Sequence, residues 1–142
     1  MFNCNIKRLI SVLKQTDVFV PNESEINKIK NRLNMNNTFN KWILNNGTSY
    51  ILEKKGSDGV KVWTSRESFY IPSYKVKSID TSGAGDSFAG GLIYCLINNY
   101  SIKEAAAFSS ACGAITTTFE GPHGVFTIDD ITELMQNREE IL

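Results

Sequence analysis

A run of small residues closed by two carboxylates, Asp80-Thr81-Ser82-Gly83-Ala84-Gly85-Asp86, has the residue types and spacing best suited to chemistry in this chain. Glycine and alanine leave the backbone amides bare, and a helical pattern follows from Ala84 onward. The first N–H groups of a helix have no internal partner and lie at the positive end of its dipole. A glycine-rich start lets an anion approach those amides closely, which makes an anion site. Asp86 falls in the first turn, beside the amides. A carboxylate there can accept a proton from a hydroxyl attacking a phosphorus or carbonyl centre while the amides stabilise the charge that develops. The same pattern also serves plain packing, with the acid only complementing the dipole, and spacing alone leaves both readings open. Two phosphate-binding motifs are excluded, because no Lys follows to make a P-loop and the third glycine of the dinucleotide pattern is missing.

The elements that must hold this turn are legible on either side. "VKSI" before it has strand character, within a strand expected over "YKVKSI". Residues 84–98 form an expected helix with Phe88, Leu92, Cys95 and Leu96 on one face. Ser101 and Glu104 make a capping box opening a small-residue helix to about 117, and Thr127 with Asp130 opens a last one. Upstream, Ile6, Leu9, Ile10 and Leu13 recur at helical spacing, "DVFV" reads as a buried strand, and Pro21-Asn22 ends it. Short helices are expected over 25–33 and 38–45. "TSYILE" and "VKVWT" are strands around a Gly56–Gly59 hairpin turn, and "SFYI" is one more. Strands alternating with helices predict a layered α/β fold with a largely parallel sheet.

Composition sets the bounds. The 142 residues suit one domain, 1–142, and 42% hydrophobic with 21% charged residues is globular usage. A formal net charge of zero gives no footprint for nucleic acid or an acidic membrane surface. No apolar run reaches membrane-spanning length, and the N-terminus is too broken by polar residues for a signal peptide, so a cytoplasmic protein is expected. Three cysteines, Cys4, Cys95 and Cys112, without metal spacing suit a reducing compartment. Asn22, Asn36, Asn46 and Asn99 fall in N-x-S/T sequons, read as products of an asparagine-rich first half.

"DTSGAGDSFAGG" resembles the C-terminal signature of the ribokinase, or phosphofructokinase B, family of carbohydrate and nucleoside kinases. Its fixed positions would recur by chance with probability on the order of 10⁻⁵ at average residue usage, so composition does not account for it. "DVFVPNESEI" resembles the family's strand followed by N-x-x-E, "ILEKKGSDGV" its nucleotide-side hairpin, and "ACGAITTTFEG" the helix and loop bordering adenine, all in family order. The resemblance implies the ribokinase-like three-layer α/β fold and ATP-dependent phosphoryl transfer to a sugar hydroxyl, with ATP and Mg²⁺ as cofactors. It implies Asp86 as catalytic base and Gly83, Ala84 and Gly85 as anion hole. Asn22, Lys54, Gly56, Gly59, Ser110 and Gly121 would lie at the nucleotide. Glu25 would order water on Mg²⁺, and Asp80 with the Ser82 carbonyl resembles the monovalent-cation (K⁺) site of members that have one.

Three departures qualify these expectations. Ser110 stands where many relatives carry Asn, "EGPHG" is a shorter loop, and the chain opens at "FNCNIKR", with Asn3 in place of an Asp of the family's mid-chain strand. The whole chain thus resembles only the C-terminal, nucleotide-side half, without the N-terminal substrate and lid half. The expected partners are a sugar and either a complementary N-terminal half or a second copy, with no nucleic acid and no membrane. The alternatives are a truncated or catalytically silent nucleotide-binding module with no activity of its own. His123 reads as a loop residue, and Trp42 and Trp63 as core.

Overall fold

The computed structural model describes residues 5–139, with the side chains of 138 and 139 left aside. The Asn3 and Cys4 readings lie outside the described residues. The chain divides into two units, residues 1–56 with 60–70, and residues 57–59 with 71–142.

In the first unit, α1 (Ile6–Lys14) starts on Asn5, whose side chain accepts the Lys7 N–H at 2.8 Å. β1 (Val18–Phe19) is short and leads through Pro21 into α2 (Glu23–Arg32), and α3 (Phe39–Leu44) follows. β2 (Tyr50–Lys54), a 3-10 turn at Gly56–Asp58, β3 (Gly59–Trp63) and β4 (Ser68–Pro72) complete a sheet ordered β1-β2-β3-β4, of which residues 57–59 and 71–72 count to the second unit. The sheet is mixed rather than largely parallel. β1 runs parallel to β2, with Val18 opposite Tyr50, but β2 runs antiparallel to β3, with Leu52 opposite Val62. A connection as short as the 56–58 turn can join strands only antiparallel. Leu13, Ile26, Phe39, Ile43 and Ile51 form the core between helices and sheet, and Phe19 meets Phe39 edge-on at 6.2 Å. Trp42 and Trp63 pack against this cluster, as expected, and both are only partly buried.

The second unit is built from α4 (Ala84–Ile97), α5 (Ile102–Thr116) and α6 (Ile128–Glu139). Phe88, Leu92 and Cys95 are buried along α4, and Leu96 is half-buried. α5 offers almost only small residues to its neighbours, with Ala105, Ala106, Ser109, Ala111 and Cys112 buried. Tyr74, Ala111, Cys112 and Ile131 gather in a second core. Desolvation in that core pushes the Cys112 thiol up to about 12, so it is a packing group and not a nucleophile. Both sequence-read capping boxes are present, Ser101 with Glu104 and Thr127 with Asp130.

The strand expected over "YKVKSI" does not form. Residues 74–78 join no ladder, and the Ile79 and Asp80 N–H groups donate instead to the Thr117 carbonyl at 2.7 and 3.1 Å. Among the described residues no helix is long and apolar enough to cross a membrane.

Candidate functional site

The glycine-rich turn adopts the shape its composition calls for. Gly83 is the N-cap of α4 with φ +77°, a left-handed conformation that costs a residue with a Cβ roughly 1–2 kcal/mol. A Cβ there would also stand 2.7 Å from the Pro122 carbonyl oxygen. No side chain caps the helix. The Ala84 N–H reaches Thr81 O at 3.3 Å, and the helix ladder begins only with the Ser87 N–H on Gly83 O at 2.9 Å. The Gly85 and Asp86 amides precede that ladder and remain as donors at the positive end of a 14-residue helix. Asp86 sits in this same first turn and is exposed. These bare donors suit an anionic group, so the residues present fit the phosphates of a nucleotide.

Asp80 holds the turn in place. One of its carboxylate oxygens accepts the Ser82 N–H at 2.8 Å and the other the Gly121 N–H at 3.0 Å, tying the turn to the 119–122 loop. These bonds, led by that from the Ser82 backbone, hold the carboxyl below the usual carboxylate range. The structure thus joins Asp80, Ser82, Gly83, Ala84, Gly85, Asp86 and Gly121 into one local arrangement within the second unit. Ser110 is buried on α5, 8% exposed, and His123 is exposed in the loop. Gly59 also belongs to this unit, and a Cβ on it would overlap the Ile71 carbonyl oxygen.

The remaining candidates lie in the first unit. Asn22 and Glu25 form a reciprocal capping box on α2. The Asn22 side-chain oxygen accepts the Glu25 N–H at 2.8 Å, and Glu25 Oε2 accepts the Asn22 N–H at 2.8 Å. Lys54 ends β2 beside them, its N–H on Pro21 O at 2.8 Å and its backbone bridged to Asn22. Gly56 opens the 3-10 turn with φ +56°. Lys55, the other strand-end cation, is ion-paired with the buried Glu53 at 2.9 Å, which raises its pKa. Among the described residues no three His, Cys, Asp or Glu side chains converge on a metal. A magnesium ion at Glu25 would therefore take its other ligands from water and phosphate, as that ion commonly does.

The motifs assign no role to Ser87, Gly113 or Thr116, yet all three bear on the turn. The Thr116 hydroxyl lies 2.6 Å from that of Ser87, and a Cβ on Gly113 would stand 3.1 Å from the Ala84 carbonyl oxygen. Only the run of small residues on α5 signals such a close helix approach.

Comparison with known proteins places this geometry. The family described as pfkB family carbohydrate kinase matches residues 4–126. An ATP-dependent ribose-1-phosphate kinase of Halopiger xanaduensis is 36% identical over 85 residues, covering 60% of this chain and 29% of that protein. Fructokinase-2 of Solanum lycopersicum is 31% identical over 124 residues, covering 81% of this chain and 37% of that one. Among solved structures, an E. coli protein described as ribokinase II, in complex with ATP and Mg²⁺, superposes with a TM-score of 0.82 at 29% identity. That match covers 92% of this chain and 42% of the other. Ribokinase of Thermotoga maritima superposes with a TM-score of 0.82 at 26% identity, covering 96% of this chain and 46% of that one. The chain spans under half the length of each of these relatives.

Proposed function

Since the chain belongs to the pfkB family of carbohydrate kinases, we propose that it supplies the phosphate-donor side of an ATP-dependent sugar kinase. One observation carries this reading: "DTSGAGD" folds into an uncapped, left-handed glycine turn with bare amides and Asp86 in the first helical turn. ATP would supply the phosphoryl group, and Mg²⁺ would offset its charge. The Gly83–Asp86 turn holds the anionic group through its amides. Asp86 takes the proton of the acceptor hydroxyl as that oxygen attacks, and the amides meet the charge that develops. Asn22, Lys54, Gly56, Gly59, Ser110 and Gly121 contribute to the nucleotide side. Glu25 keeps one carboxylate oxygen on its helix cap and turns the other to metal-bound water. The Ser82 carbonyl and Asp80 are the place for a potassium ion. The acceptor is a sugar, in line with relatives named as ribose-1-phosphate kinase and fructokinase.

The relatives' greater length supports a further part of the proposal, that the acceptor is held in line by a complementary N-terminal half. Positioning of that kind is worth roughly 7–11 kcal/mol of barrier. The test is ATP consumption against a panel of sugars and nucleosides, with the chain alone and then with a separately expressed N-terminal half. Sugar-dependent turnover only in the mixture is the expected result. Sugar-dependent turnover by the chain alone would refute the half-kinase reading.

A further inference from the structure

The uncapped turn is gripped from the neighbouring helix. Thr116 is fully buried near the C-terminal end of α5, and its hydroxyl lies 2.6 Å from the Ser87 hydroxyl and 2.9 Å from the Cys112 carbonyl oxygen. Each hydroxyl has one proton and a carbonyl can only accept. Thr116 therefore donates to Cys112 O and accepts the proton of Ser87. The bond to Cys112 alone would satisfy a buried threonine, so burial does not account for the second one.

Ser87 directly follows Asp86 and is the first residue whose N–H enters the α4 ladder. The tie thus acts one residue from the carboxylate and from the last bare amide. A steric contact works beside it: Gly113 admits the Ala84 carbonyl oxygen, which would stand 3.1 Å from a Cβ there. Ala84 and Ser87 are three apart on α4, and Gly113 and Thr116 are three apart on α5. Each pair therefore shares a helix face. One polar and one steric contact fix the first turn of α4 against α5, where no cap of its own fixes it.

We propose that Thr116 is a positioning residue for the amide cradle and Asp86, acting through the Ser87 hydroxyl, with Gly113 setting the distance of approach. This rests on the reading of the Gly83–Asp86 turn as an anion site.

The test uses the 142-residue chain, isotopically labelled, with inorganic phosphate as probe and the Gly85 and Asp86 amide signals as readout. Wild type and Thr116→Ser, which keeps the hydroxyl, are expected to saturate at the same phosphate concentration. Thr116→Val and Ser87→Ala each remove the tie and should need about tenfold more phosphate, with α5 and α6 signals unchanged. Ser87→Ala carries the test if the buried valine disturbs folding. Equal phosphate affinity in wild type and a natively folded Ser87→Ala would overturn the positioning role and leave the cradle standing, as would loss in Thr116→Ser equal to that in Thr116→Val. Wild-type amides that ignore phosphate would overturn the cradle reading itself, and the positioning role with it.

Discussion

Two helix starts hold the candidate chemistry, and they are finished in opposite ways. α2 begins on Asn22, and its capping box with Glu25 uses side chains to satisfy its first donors. α4 begins on Gly83, which has no side chain to give, and its first amides stay open. The difference separates a start that stabilises its own helix from one that exposes donors and must be stabilised from outside. Around α4 that outside support comes from Asp80, the Pro122 backbone and Thr116. An acid in the first turn accordingly has different prospects at the two places. Glu25 is tied back onto its own cap, whereas Asp86 stands beside unspent donors.

The sharpest way to break this contrast is Asp86→Asn in the chain assembled with the N-terminal half proposed above. Asn preserves size and hydrogen bonding but cannot take a proton, so kcat should fall by at least about 10²-fold while ATP binding stays close to normal. Near-normal turnover in steady-state assays would remove Asp86 from the role of base and make the two helix starts equivalent.

Gly83→Ala tests the other half of the contrast, the dependence of the α4 start on bare backbone. Its left-handed φ and the 2.7 Å approach of Pro122 O should together cost roughly 1–3 kcal/mol in denaturant unfolding. A variant as stable as wild type would show that the turn tolerates a Cβ and that glycine is not required there.

Much of this was legible in the sequence because it is local. The capping boxes at Ser101 and Thr127 need only residues three apart, and the Ala84–Ile97 helix departs from expectation by one residue at its end. The glycine turn, its amides and Asp86 were legible for the same reason. What escaped depends on distant partners. "YKVKSI" alternates like a strand, but a strand exists only where a neighbour takes its N–H and C=O groups, and here the segment leads to Thr117. The Glu53–Lys55 pair was equally hidden, since it depends on Glu53 being buried. The Thr116–Ser87 tie spans 29 positions and has no local signature. Asn22 and Glu25 carry a family motif in the sequence, and the hydrogen bonds show the same pair as a helix cap.

That double meaning can be separated by two substitutions on α2. Asn22→Ala removes the cap oxygen and should destabilise by about 1 kcal/mol, read from the denaturation midpoint. Glu25→Gln keeps a side chain that still suits the box, so stability should change little. If Glu25 orders metal-bound water, the assembled kinase should nonetheless need more magnesium for half-maximal activity. An unchanged magnesium curve would leave Glu25 as a cap alone and make the contrast between the helix starts complete.

The smallest expected effect concerns the staple beneath the open start. Asp80 is held below the usual carboxylate range by the Ser82 and Gly121 N–H groups. A carboxyl whose pKa is depressed by folding contributes stability above its unfolded value, about 3.9, and loses it as pH falls through the lower folded value. Acid should therefore loosen the link between the 80–86 turn and the 119–122 loop. Because Asp80 is only half-buried and water screens its charge, the contribution is a small one. The comparison is stability against pH for wild type and Asp80→Asn, whose amide does not titrate. Wild type should lose its margin over the variant as pH drops below about 4, with the two curves running parallel at neutral pH. The amides of Gly83–Asp86 should exchange faster in the acidified wild type while those of α2, capped by its own residues, do not follow. Curves that stay parallel through the acid range would mean that the charge on Asp80 adds nothing. The open start of α4 would then owe its shape to Gly83, Pro122 and α5.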